Sequence, residues 1–134
     1  MSVKIIHYKN KYPYLEMARV GILECNLDIF IRTDDPGKLP HFHIVDRNNL
    51  DKRDNEGCIR IDKAEYFSHG NKTMTLNSKQ RKELIKFLNE KPKNGGFATN
   101  WRYIVALWND NNSDVILPID LEMPDYTQLS TEGK

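Results

Sequence analysis

Cysteine is scarce in this sequence: only Cys25 and Cys58 occur among its 134 residues, and neither belongs to a Cys-x-x-Cys pair. This spacing argues against a zinc ribbon and against a thioredoxin-type redox motif. Both cysteines lie in alternating, strand-like segments. We therefore predict two buried free thiols in a reducing compartment, with a disulfide between them as the alternative.

Long apolar runs are also missing. No stretch approaches the roughly 20 apolar residues that a helix needs to span a bilayer. The apolar stretch within residues 1–8 is too short for a secretory signal peptide. The sequence therefore predicts a cytoplasmic protein that has no membrane association.

An excess of one charge is absent as well. The chain has 20 Lys and Arg against 19 Asp and Glu, a formal net charge of +1. Binding of nucleic acid through bulk charge needs clustered cations, so nucleic acid is not indicated as a partner. The main basic concentration includes Lys79, Lys82 and Lys86, which form either a partner surface or a solvated helix face diluted by Glu83. A protein partner or a homo-oligomer is the expectation.

Familiar catalytic motifs are not found. There is no Gly-x-Ser-x-Gly, no phosphate-binding glycine loop and no His-Glu-x-x-His. No nucleophile with a partnered base can be assigned. Trp101 and Trp108 have the spacing of one helical face and are predicted to be core residues, with an exposed aromatic platform as the alternative.

The apolar and charged fractions, 39% and 29%, are those of a globular chain. The length fits a single domain, predicted over residues 1–126 with a flexible tail at 127–134. Alternation in the first half predicts strands, including one through Cys25, Leu27, Ile29 and Ile31 with one buried face. The turn Asp35-Pro36-Gly37 should return the chain so that residues 25–32 pair with 41–45. The polar residues 46–57 read as a loop.

The second half is predicted to be helical. Residues 78–90 form an amphipathic pattern, for which Asn77 or Ser78 can serve as the N-cap, and Gln80 has the spacing of a capping-box partner for Asn77. A second helix over 101–108 begins with Thr99 or Asn100 as its N-cap. The predicted fold class is α+β: an antiparallel sheet built from residues 3–76 and packed against two C-terminal helices.

The most informative segment is Pro40-His41-Phe42-His43. On a strand, residues two apart project from the same face, so both imidazoles share one side. Such a pair is suited to binding a divalent transition metal or to acid-base chemistry near neutral pH. A metal site needs a third ligand, for which His69 is the first candidate and His7, Asp46 and Asp62 are the others. The alternative is a pair of hydrogen-bonded sheet histidines.

Three elements carry a resemblance to a known group: Pro40-His41-Phe42-His43-Ile44, the strand Cys58-Ile59-Arg60-Ile61, and a helix with Asn100-Trp101 and Trp108. With them, residues 37–109 resemble a small prokaryotic and phage family of unknown function marked by a Pro-His-Phe-His strand. The resemblance implies a compact α+β domain, often encoded beside a second small protein in toxin–antitoxin-like gene pairs. It transfers only His41 and His43, as positions of the motif.

This sequence departs from that family by a longer N-terminal β-region, by the insertion at residues 46–57 and by the tail at 124–126. We therefore expect an uncharacterised cytoplasmic binding or regulatory protein, one component of a toxin–antitoxin-like or phage accessory system. A metal-dependent hydrolase or nuclease that uses His41 and His43 is the alternative. A purely structural accessory protein that forms an oligomer is the third reading.

Overall fold

The computed structural model describes residues 5–8, 12–32, 39–50, 54–67, 72–93, 95–112 and 115–130, with side chains from residue 18 onward. It contains five strands, two helices and two short 3-10 helices. The strands are β1 (Ile5–Tyr8), β2 (Tyr12–Ile22), β3 (Leu27–Arg32), β4 (His41–Asp46) and β5 (Glu56–Arg60). The helices are α1 (Ser78–Leu88) and α2 (Asn100–Asn111), and the 3-10 turns are Arg47–Asn49 and Tyr126–Gln128.

The five strands form one antiparallel sheet in the order β1-β2-β3-β4-β5. Each strand pairs with its neighbours along the chain. The predicted pairing of the third and fourth strands is confirmed, with Ile29 opposite Ile44 and Phe30 opposite His43. The sheet and the two C-terminal helices confirm the predicted α+β class.

Both faces of β3 and β4 are buried, whereas the alternation predicted only one buried face with the other partly covered. One face carries Ile29 and Ile44, which belong to the same hydrophobic core as Leu84 of α1 and Ile104 of α2. The opposite face carries polar side chains that are also buried. Burial of these groups is tolerated because they hydrogen-bond and ion-pair with one another.

The helices begin where the sequence indicates. The Asn77 side chain and the Gln80 side chain form the predicted capping box at the start of α1. Thr99 caps α2, and this helix continues three residues beyond the predicted end. Trp101 and Trp108 are 2% and 1% exposed, so they are core residues and not an aromatic platform.

The segment after α2 packs back onto the domain. Tyr126 and Leu129 are buried, and the Tyr126 hydroxyl donates to the Arg60 carbonyl at 2.7 Å. Arg81 donates to the Leu129 carbonyl at 2.7 Å. Ordered contacts therefore extend past the boundary predicted at residue 126, while residues 131–134 of the predicted tail lie outside the described residues.

The strand β5 starts earlier than expected. Glu56 and Gly57, predicted as the end of a polar loop, belong to the sheet and pair with Val45 and Ile44. Gly57 fits here because a Cβ atom would overlap the backbone carbonyl of Met74. This shift of two residues places the Glu56 side chain inside the protein.

Among the described residues, the helices are all too short or too polar to cross a membrane.

One ion pair on the polar face of the sheet joins β2 to β3. Arg19 donates to both carboxylate oxygens of Asp28, at 3.1 and 3.0 Å, and the Asp28 side chain is 0% exposed. Burial raises the pKa of Asp28 to about 7, although the positive charge of Arg47 acts in the opposite direction. Asp28 therefore titrates within the pH range of ordinary experiments.

We expect Asp28 to make folding stability depend on pH. An unfolded aspartate has a pKa near 3.9, so the folded state holds this proton more tightly. The contribution is complete below about pH 4 and is lost as the pH rises through about 7. Relative to Asp28→Asn, the wild-type chain should lose on the order of 4 kcal/mol of unfolding free energy across that range.

Urea unfolding at several pH values measures this difference, and Asp120→Asn at an exposed position is the control. The control should leave the pH profile of the wild-type chain unchanged. Parallel profiles for wild type and Asp28→Asn would show that Asp28 has an ordinary pKa in the folded protein.

Candidate functional site

Two adjacent strands bring a polar cluster together on the face of the sheet opposite the hydrophobic core. His41 and His43 project from the same face of β4, with ring centroids 4.9 Å apart. Cys58 of β5 lies directly opposite His43 in the register of the two strands. Glu56 precedes Cys58 by two residues and shares its face. With Arg32 of β3, these side chains form what we term the buried polar cluster.

The centre of the buried polar cluster is the His43 ring. Its Nδ1 atom lies 2.9 Å from Glu56 Oε2 and 3.4 Å from Cys58 Sγ. Arg32 Nη2 donates to the two oxygens of Glu56, at 3.3 and 3.0 Å. A guanidinium stays charged in proteins, so Glu56 faces a permanent cation on one side. On the other side it accepts a hydrogen bond from His43 in the tautomer that carries the ring hydrogen on Nδ1.

The second imidazole is fixed by the backbone. His41 Nδ1 lies 2.7 Å from the Leu39 carbonyl oxygen. A carbonyl only accepts, so Nδ1 carries the hydrogen and the Nε2 atom of the neutral ring keeps its lone pair. Histidines that bind metals are commonly oriented in this way, with the other ring nitrogen donating to a backbone carbonyl.

Aromatic rings enclose the cluster. Phe30 stacks on His43 at 5.1 Å, and Phe67 stacks on His41 at 4.5 Å. The Trp108 ring of α2 lies 5.4 Å from His41. His41, His43 and Cys58 are exposed by no more than 1%. The cluster is therefore shielded from water. Electrostatic interactions between its members are stronger in this environment than they would be in solvent.

The donor atoms suit a transition metal. One ligand atom from each of His41, His43 and Cys58 lies within 4.8 Å of the other two. Zinc binds thiolate sulfur at about 2.3 Å and imidazole nitrogen at about 2.0–2.1 Å, so tetrahedral coordination separates the two ligand atoms by about 3.5 Å. The 3.4 Å between Cys58 Sγ and His43 Nδ1 matches this separation. Coordination through Nδ1 requires the neutral His43 ring to carry its hydrogen on Nε2.

The same contacts do not make a nucleophilic triad. In a Cys-His-acid triad, the thiol meets one ring nitrogen and the acid orients the other. Here Cys58 Sγ and Glu56 Oε2 both contact Nδ1 of His43. One ring nitrogen cannot both accept a proton from Cys58 and be oriented by Glu56, so these three residues lack the arrangement of a triad.

The structure brings together the two histidines that the sequence singled out, and it adds Cys58 as the third donor. His69, the first candidate for that position, lies outside the described residues. For His7, only the backbone is described, within β1.

The two carboxylates considered as ligands are engaged elsewhere. The Asp46 side chain accepts from the Asn48 backbone N–H and caps the 3-10 turn after β4. Arg60 donates two hydrogen bonds of 2.9 Å to Asp62. Neither carboxylate belongs to the cluster of donors around His43.

The sequence did not single out Glu56 and Arg32, and it predicted Cys58 as a buried free thiol without a role in the site. A signal was present, since Glu56, Cys58 and Arg60 alternate with Gly57 and Ile59. Alternation of this kind places the polar members on one face of a strand. The strand that they form lies next to the two histidines.

The other cysteine differs from the prediction. Both cysteines are free thiols, but Cys25 is only partly buried. Burial and the nearby Glu83 carboxylate raise the pKa of Cys25 to about 11. A thiol with this pKa is protonated at neutral pH and is a poor nucleophile.

Lys79, Lys82 and Lys86, the predicted partner surface, are exposed on α1. Their charges are therefore available to solvent or to a partner.

Comparison of the chain with protein-family models, with curated proteins and with solved structures finds no match. The resemblance to the Pro-His-Phe-His family therefore stays a prediction, and the geometry of the buried polar cluster is the basis for a functional proposal.

Proposed function

We propose that this protein is a small binding and regulatory protein that holds one transition-metal ion, of which Zn²⁺ is the best fit, in the buried polar cluster. The single observation that carries the proposal is the convergence of His41, His43 and Cys58 donors within 4.8 Å. Two imidazoles and a thiolate are the ligands that zinc prefers among protein side chains. The bound metal ion stabilises the sheet on which the ligands lie.

Burial favours a structural or regulatory metal over a hydrolytic one. A hydrolytic zinc keeps one coordination position open to water and substrate. Ligands that are exposed by no more than 1% leave little access for a polymeric substrate. The metal-dependent hydrolase or nuclease considered from the sequence is therefore the weaker proposal.

The proposal fits a reducing compartment such as the cytoplasm, because a thiolate ligand must stay unoxidised. A protein partner, of the kind found in toxin–antitoxin-like pairs, would meet the exposed lysines of α1 through acidic side chains. Lys79, Lys82 and Lys86 supply the charge for this contact. The metal would act on partner binding through the stability of the domain.

The direct test is metal binding by the purified, untagged chain under reducing conditions. We expect one Zn²⁺ per chain and a free energy of unfolding that increases by about 2.7 kcal/mol when free zinc is 100 times the dissociation constant. Removal of the metal with a chelator should reverse this stabilisation.

Mg²⁺ at the same concentration is the control, because it prefers oxygen ligands and keeps its water molecules. A chain that takes up no Zn²⁺, or that is stabilised equally by Mg²⁺, would contradict the proposal.

A further inference from the structure

We propose that Glu56 is the fourth ligand of the metal and that Arg32 holds this carboxylate in the metal-free protein. The inference rests on the proposed function, and it turns three donors into a closed four-coordinate site. It also names Arg32 as a positioning residue that competes with the metal for Glu56.

Glu56 Oε2 already lies close to the other donor atoms. This oxygen lies 2.9 Å from His43 Nδ1, the same ring nitrogen that Cys58 Sγ approaches to 3.4 Å. Tetrahedral zinc separates a nitrogen and an oxygen ligand by about 3.4 Å, given bond lengths near 2.0–2.2 Å. A displacement of roughly half an ångström brings Glu56 to that separation. Metal binding also moves the His43 ring hydrogen from Nδ1 to Nε2 and releases the Cys58 thiol proton to solvent, so that both atoms can coordinate.

The charge of a divalent ion also favours Glu56 as a ligand. A divalent ion in a water-excluded site needs negative ligands, because an uncompensated buried charge is costly. The Cys58 thiolate supplies one negative charge and the Glu56 carboxylate supplies the other, so together they balance the metal ion. The Arg32 guanidinium then remains beside the site as one excess positive charge. Glu56 is 4% exposed, and its carboxylate is therefore already desolvated before a metal arrives.

Arg32 competes with the metal for the Glu56 carboxylate. Its guanidinium is 6% exposed and ion-pairs with Glu56 at 3.0 Å. The metal and Arg32 are thus alternative cations for one buried carboxylate. Binding of the metal weakens this ion pair, and loss of Arg32 should strengthen metal binding because Glu56 would otherwise remain uncompensated.

The test uses Co²⁺, which replaces zinc and reports its coordination through visible d–d bands and thiolate-to-metal charge transfer. Glu56→Gln should keep the charge-transfer band from Cys58, change the d–d bands and bind Co²⁺ at least about tenfold more weakly. Arg32→Met should bind Co²⁺ about tenfold more tightly than wild type, since the metal then supplies the only cation for Glu56. Glu65→Gln, at an exposed position, is the control and should match wild type.

The results separate the two proposals. A wild-type chain that binds no Co²⁺ overturns the metal site itself. A wild-type chain that binds Co²⁺ while Glu56→Gln keeps the same bands and affinity overturns only the role of Glu56. If Glu56→Gln fails to fold, unchanged or weaker binding by Arg32→Met overturns the inference, and tighter binding supports it.

Azide tests whether the site is closed in the wild-type Co²⁺ protein. A spectral shift on addition of azide would reveal an open coordination position and overturn the closed site, whereas an unchanged spectrum supports it.

Discussion

The Cys58→Ser variant is expected to bind Zn²⁺ at least about 100-fold more weakly than the wild-type chain, a loss at the upper end of what changes around a metal's ligands produce. Cys58 supplies the sulfur of the donor set, and its Sγ atom lies 3.4 Å from His43 Nδ1. A serine hydroxyl is a much weaker ligand for zinc than a thiolate. Competition with a chromophoric chelator measures the change in affinity.

Cys25→Ser is a matched control, because it removes the other free thiol of the chain. Cys25 does not belong to the donor cluster, and its raised pKa keeps it protonated. The control should bind zinc as tightly as wild type. Equal affinities for the two serine variants would show that zinc is bound elsewhere, or through nitrogen and oxygen ligands alone.

The Gly57→Ala variant is expected to lose about 3 kcal/mol of unfolding free energy or more, at the high end for a single added methyl group. A Cβ atom at position 57 would overlap the backbone carbonyl of Met74. That backbone has little freedom to move, because the Met74 N–H donates to the Glu56 carbonyl at 2.9 Å. Thermal or urea unfolding of the metal-free chain gives the change.

Gly21→Ala provides the comparison, since its Cβ would lie 2.7 Å from the end of the Phe87 ring. Phe87 is a partly buried side chain and can turn aside, so the loss of stability should be clearly smaller. If Gly57→Ala were as stable as Gly21→Ala, the backbone around Met74 would be able to move away from β5 at little cost. Glu56 and Cys58 would then be less rigidly held than the structure indicates.

Much of the architecture was predictable because it depends on neighbours in the sequence. The capping box of Asn77 and Gln80 is a local interaction, and the structure contains it as predicted. The turn signal Asp35-Pro36-Gly37, whose residues lie outside the described ranges, was enough to predict the pairing of β3 with β4. Periodicity and turn residues encode such features directly.

The donor set was harder to predict because it depends on register. Cys58 lies opposite His43 because β5 pairs with β4 in this register. A slip of β5 by one residue would turn the Glu56 and Cys58 side chains to the other face of the sheet. The polar loop between β4 and β5 does not reveal where the second strand starts. Arg32 comes from a third strand, so the contact with Glu56 is invisible to any single segment.

Burial of the polar face was also beyond sequence patterning. A strand that alternates apolar and polar residues is usually wet on one side. Here Asp28 and Arg32 of β3 are both buried, and they pair with Arg19 of β2 and with Glu56 of β5, respectively. Alternation alone does not distinguish polar side chains that face solvent from polar side chains that face one another.

The sequential strand order has a consequence for how the chain reaches its native state. His41, His43 and Cys58 all belong to the single hairpin formed by β4 and β5. Contacts close in sequence form early, because closing a short loop costs little chain entropy. The proposed ion would then meet its three donors before either C-terminal helix has docked, and free zinc present during refolding should stabilise the hairpin as well as the finished molecule.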